Sequence, residues 1–151
     1  MTRIVSIAAL ILALAAVSAG AASASGKSGF IRTPDGKIYC GWGYGGGTSG
    51  FVVCGIWNGF LKPKPKNNCA KQHLDYVGNR LAFSSTGKAK VQPCAGDAGP
   101  FANRKAAKVI KYGAGWHGGG MSCISQAKAM QCKNKSGHGF LISAVQRYRL
   151  F

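Results

Sequence analysis

Met121–Asn134 reads MSCISQAKAMQCKN, and its alternation decides the fold class. Two runs of strand-like period flank a four-residue turn from Gln126 to Ala129, which places Cys123 directly opposite Cys132 in an antiparallel hairpin. Residues facing each other in that way bring their Cβ atoms within disulfide range. Working outward, the other four cysteines are Cys40, Cys54, Cys69 and Cys94, an even total of 6. An even set in an exported chain is a disulfide framework, for which six cysteines allow about 15 pairings. Pairing of chain neighbours (Cys40 with Cys54, Cys69 with Cys94, Cys123 with Cys132) is preferred, because local strand pairs bring such residues together at about 2–4 kcal/mol per bond. A zinc site is the rival. No two cysteines show the C-x2-C spacing of such sites, so neither metal nor cofactor is expected.

The remaining punctuation is that of an all-β domain. Phe30–Tyr39 (FIRTPDGKIY) predicts two short strands around Thr33-Pro34-Asp35-Gly36, with Gly36 in the left-handed position. Cys40–Gly50 is glycine-rich and reads as a loop holding Trp42 and Tyr44, whose rings are expected to cover a small core. Phe51–Ile56 follows as an apolar strand, and Lys62–Lys66 (KPKPK) as an extended segment, since each proline disfavours helix. Gly78–Val91 predicts a hairpin turning at Thr86-Gly87, with Lys88 and Lys90 on one face and Ala89 and Val91 on the other. Residues 103–112 (NRKAAKVIKY) suit helix or strand, and strand is preferred for its Val-Ile-Lys-Tyr ending. Gly113–Gly120 reads as a second glycine-rich stretch, and one last strand is expected within Phe140–Phe151. Short, evenly spaced strands without a convincing helix predict a small disulfide-stabilised barrel or sandwich of antiparallel strands.

The chain of 151 residues carries 20 Lys plus Arg against 3 acidic residues, Asp35, Asp75 and Asp97, for a formal net charge of +17. So few carboxylates nearly exclude chemistry built on a close acid pair and carboxylate-rich calcium sites. Residues 1–24 have the form of a signal peptide: a basic start at Arg3, the apolar run 4–17, and Ala22-Ser23-Ala24 as the cleavage site. The apolar run is short for a membrane span, so no integral membrane segment is expected after processing. Residues 25–151 would form a single secreted, or periplasmic and cell-envelope, β domain. Processing removes only one cation, Arg3, leaving +16.

Tyr112, Gly113, Trp116, Gly119, Cys123, Cys132, Asn134, Gly137, His138, Gly139, Phe140, Tyr148 and Phe151, with Phe30, Thr33, Gly36, Ile38 and Cys40 earlier, form a pattern. It resembles a family of small secreted bacterial proteins known only as a domain of unknown function. The likeness covers most of residues 29–151 and implies an exported, disulfide-stabilised β domain. Its motifs are Gly, Cys and aromatic, and it transfers no catalytic or binding residue.

Function must therefore be read from the charge. Lys62, Lys64 and Lys66, then Lys88 and Lys90, Lys133 and Lys135, and Arg147 and Arg149 each stand at i, i+2, which in extended chain makes a one-sided row of cations. Lysines guarding sheet edges would explain their positions. They would not explain the lack of balancing acids, because a net charge of about 2–8 suffices for solubility. A secreted basic binding module is the reading, adhering to an anionic polymer or surface: envelope polysaccharide, anionic lipid headgroups or extracellular nucleic acid. Nucleic acid would need exposed rings among the cations, for which Trp42, Tyr44, Trp57, Trp116 and Tyr148 are candidates. One alternative is a ribonuclease-like hydrolase with His117 and His138 as acid and base, His73 being a third histidine. Another is a secreted inhibitor presenting the loop 41–50.

Overall fold

The computed structural model describes residues 25–151; the signal peptide expected over residues 1–24 lies outside them. Eleven strands form two sheets. The first five, β1 (Lys27–Arg32), β2 (Ile38–Gly45), β3 (Thr48–Ile56), β4 (Asp75–Ser84) and β5 (Lys90–Ala95), make an antiparallel meander. The short β6 (Lys108–Val109) adds parallel to β1 and completes the order β5-β4-β3-β2-β1-β6. A second meander runs through β7 (Gly115–Gly118), β8 (Met121–Gln126), β9 (Ala129–Asn134), β10 (Gly139–Ser143) and β11 (Tyr148–Leu150). The sheets share a core and do not close into a barrel, so the sandwich alternative holds. Among the described residues no helix is long and apolar enough to cross a membrane.

Period-two alternation orients both sheets. Ile38 and Cys40 on β2 face inward with Val52, Cys54 and Ile56 on β3 and Leu81 and Phe83 on β4; the second sheet answers with Cys123, Met130, Cys132, Phe140 and Ile142. The expected hairpin holds residue for residue, with Gln126 opposite Ala129 and Cys123 opposite Cys132. All three chain-neighbour disulfides are present: Cys40–Cys54, Cys69–Cys94 and Cys123–Cys132. Cys40 and Cys54 are also directly opposed, and the first and third bonds meet between the sheets, Cys54 Sγ lying 3.6 Å from Cys132 Sγ. The four sulfurs lie within 4.8 Å of one another, but pairwise bonding leaves no thiolate to hold a metal.

The turns behave as their residues dictate. At Thr33–Lys37, the Thr33 hydroxyl donates to Asp35 Oδ1 (2.6 Å) and accepts from the Ile38 N–H (3.2 Å), and Gly36 takes φ 64°. Lys88 and Lys90 are exposed, while Ala89 and Val91 pack on the core. On edge strand β5, Pro93 removes a donor where the outer side has no partner strand.

Three stretches depart from expectation. Cys40–Gly50 is not a loop: β2 continues through Trp42 and Tyr44 to Gly45, and the chain reverses at Gly46-Gly47. Gly41 and Gly43 permit strand because neighbouring rings occupy the space that side chains would fill, Phe30 at Gly41 and Phe51 at Gly43. Residues 103–112 are mostly turn, with strand only at Lys108–Val109; Ala107 and Ile110 are buried among exposed lysines. Phe140–Phe151 holds two strands rather than one.

Asn134 ties the two meanders together. It is 3% exposed; its Nδ2 donates to the carbonyls of Ser84 (3.0 Å) and Gly87 (2.8 Å), and its Oδ1 accepts from the N–H groups of Ser136 and His138 (both 3.1 Å). Replacing it orphans four part-buried backbone partners, each costing up to about 1 kcal/mol. Asn134→Ala is therefore expected to lower stability by about 3 kcal/mol in urea unfolding with the disulfides intact. An unchanged midpoint would remove this inter-sheet tie from the account.

Candidate functional site

All nine cations of the i, i+2 rows are exposed, but topology divides eight of them between the two ends of the sandwich and leaves Arg149 on a sheet face. Lys88 and Lys90 belong to the β4–β5 turn region, and the Asn134 bonds bring the β9–β10 turn, with Lys133 and Lys135, to the same end. His138 and Phe151 border a shallow depression with Lys88 there. Arg149, on β11, pairs with Leu141 on the outer face of the second sheet. Lys62, Lys64 and Lys66 lie at the opposite end, and an isolated parallel bridge sets Lys62 beside Arg147.

That second end is built from the chain leaving β3. The Trp57 N–H donates to the Lys37 carbonyl (2.8 Å), the Leu61 N–H to Gly78 (2.9 Å) and the Lys62 N–H to Gln146 (2.7 Å). Leu61 is fully buried and anchors the segment, so the flanking residues are held at the surface by a core contact. Asn58 (φ 56°) and Gln146 (φ 70°) adopt the left-handed conformation where the two turns meet, a conformation Asn tolerates better than most side chains. A groove of about 480 Å³ results, lined by Trp57, Asn58, Phe60, Asn79, Phe101 and Gln146. Asn79 Nδ2 donates to the Ile56 carbonyl (3.0 Å), which fixes the amide, and its Oδ1 is left buried without a protein partner.

Rings hold the cations here. Phe60, 51% exposed, stacks on Tyr76 with centroids 6.0 Å apart, and Lys64 Nζ lies 5.8 Å and 5.1 Å from the two centroids. The Arg104 guanidinium lies over Trp57, 3.5 Å from the ring centroid, and Trp57 in turn leans on Phe101 at 5.4 Å. Such contacts contribute about 0.5–1 kcal/mol each at exposed sites and restrict otherwise mobile side chains. Four of the five rings named as stacking candidates, Trp42, Tyr44, Trp116 and Tyr148, instead pack against the core; Trp42 stacks on Tyr44 at 5.6 Å and approaches Trp116 at 4.7 Å. Trp57 alone reaches the groove. Phe60 and Arg104 were not legible as site residues, although Phe60 stands just before the KPKPK run and a ring among cations is a recognisable signal.

The histidines do not converge. His117 is exposed on β7 and pairs with Ser122, whereas His138 precedes β10; the sheet order β10-β9-β8-β7 sets their backbones about three strand spacings, roughly 14 Å, apart. Strand pairing therefore supplies no shared position for the two imidazoles. The acids are dispersed too. Asp35 is used in its hairpin and Asp97 pairs with Arg80 at 3.0 Å, the sole ion pair among the described residues.

A two-sheet, three-disulfide β domain with a groove of rings and amides, flanked by cations, at one end is the class of protein that fold and site define. The chain belongs to a family of unknown function, DUF6636, whose model matches residues 7–151. No curated protein and no solved structure matches it. RNA incubated with micromolar protein between about pH 5 and 8 is expected to stay intact on a gel. Cleavage lost in both His117→Ala and His138→Ala would show that the two imidazoles do meet.

Proposed function

We propose that the protein is an exported binding module that adheres to an acidic polysaccharide of the cell envelope through the groove between residues 57–66 and 143–147. The observation that carries this reading is Lys64 held against the Phe60–Tyr76 pair, with Lys62 and Arg147 brought together beside it. Cations already ordered by aromatic faces lose less side-chain entropy when an anion binds. The groove also offers amides, and Asn79 Oδ1 is an acceptor in need of a donor. Sugar hydroxyls would supply one while the acid groups meet the lysines.

The same arrangement weighs against base stacking. Cations occupy the faces of Phe60, Tyr76 and Trp57, the very surfaces on which a nucleobase would lie. Export is supported by the three disulfides, which persist in oxidising compartments. Anionic lipid headgroups would be met by the same cations, but a lipid surface leaves the amide-lined groove without a use.

Retention on a heparin column tests the reading. The wild type should elute at high salt, with log affinity falling steadily as log salt rises. A Lys62→Gln, Lys64→Gln, Arg147→Gln triple variant should elute much earlier than a Lys88→Gln, Lys133→Gln, Lys135→Gln variant of equal charge. Equal retention of the two would mean that net charge alone binds. Stronger binding to single-stranded DNA than to heparin would favour nucleic acid.

A further inference from the structure

A separate cavity lies on the outer face of the six-stranded sheet. The side chains of Phe30 (β1), Val53 (β3), Arg80 (β4) and Gln92 (β5) alternate out of the core, and Gly41 and Gly55 on the same face carry none. The segment around Gly99–Phe101 folds over the sheet at these glycines; a Cβ at Gly55 would sit 2.6 Å from the Phe101 ring, and one at Gly41 would touch Phe30 and Pro100. Beside this flap a space of about 320 Å³ stays open, walled by Phe30, Phe51, Val53 and Pro100 and floored by Arg80 and Gln92. That volume is at the small end of the range for ligand sites.

The polar floor of this space is incomplete. Arg80 is 3% exposed; Nη1 and Nη2 donate to the Asp97 carboxylate (3.0 Å) and carbonyl (2.7 Å), but Nε, also buried, has no partner. Gln92 stands directly opposite Arg80 in the strand pairing, and its Oε1 is buried and unpartnered as well. An orphaned donor and an orphaned acceptor, on two register partners that both line an apolar-walled cavity, are costly unless something completes them.

We infer that the cavity binds a small apolar molecule carrying one neutral amide, whose carbonyl accepts from Arg80 Nε and whose N–H donates to Gln92 Oε1. An amide is the compact group that supplies both functions at once. A carboxylate would satisfy Arg80 but leave Gln92 orphaned, and it would meet the Asp97 carboxylate, which also lines the space. The apolar part of such a ligand would lie among the Phe30, Phe51 and Val53 side chains. The site does not overlap the lysines of the groove.

Hexanamide is the probe, titrated into the 15N-labelled, disulfide-intact protein and followed by NMR. The Arg80 Nε–Hε signal, the Gln92 side-chain amide and the Gly41 and Val53 backbone amides are expected to shift together and saturate. Hexanoate should bind about tenfold more weakly at these signals. A Val53→Phe variant, checked for an unchanged β spectrum and absence of free thiols, should lose the response. The inference is overturned if hexanamide leaves the Arg80 signal in place, or if hexanoate moves it as readily. It is equally overturned if the shifts spread over the surface lysines instead; the wild-type titration decides whether or not the variant folds.

Discussion

Contact between two cross-strand disulfides holds this molecule together. Cys40–Cys54 bridges two strands of one sheet, Cys123–Cys132 two strands of the other, and the pairs touch at the centre of the sandwich. Each sits at a register-opposed position, so the bond reports the register as well as fixing it: a slip by one residue would turn both sulfurs outward. A small domain from a chain with 23 glycines needs such staples, because glycine raises the chain entropy that folding must overcome. Cys69–Cys94 has a different task. It fastens the segment after KPKPK to edge strand β5, well away from the sulfur cluster.

From that centre the consequences run outward in both directions along the strands. Rings stand beside the cysteines themselves: Phe140 is the register partner of Cys132 and meets Phe83 edge-on at 5.5 Å, Trp116 is the partner of Cys123, and Trp42, Tyr44 and Trp116 close the gap near the β2–β3 turn. The glycine abundance of β2 and β7 thereby gains a physical reason. Bulky rings and a side chain on the neighbouring strand cannot share one place, so Gly118 and Gly119 lie against Tyr44.

Much of this was legible from local pattern, because hairpins are local. The 121–134 register, the Thr33–Lys37 turn and the neighbour pairing of cysteines each depend on residues close in sequence, and each is present. Glycine-rich strands were not legible: Gly41 and Gly43 read as loop by propensity, and rings contributed from other strands, Phe30 and Phe51, fill the space beside them. The short strand Lys108–Val109 was overestimated in length because it exists through parallel pairing with distant β1. The groove was half visible. The KPKPK lysines stand out in the sequence, but their junction with Arg147 and the Arg104–Trp57 contact join residues far apart along the chain.

Separation of charge between the two ends explains how +16 is tolerated in so small a domain. The nine residues of β3, Thr48–Ile56, span about 30 Å, several times the Debye length of about 8 Å at physiological ionic strength. The cations near Lys62 and those near Lys88 therefore repel each other little in salt, while each cluster still presents a concentrated local field. Acidic residues would have relieved the remaining repulsion within a cluster. Instead two of the three present are committed to structure, Asp35 in its hairpin and Asp97 on Arg80, and neither neutralises the lysines around the groove. Repulsion within the Lys62–Lys66 and Arg147 group is thus left standing.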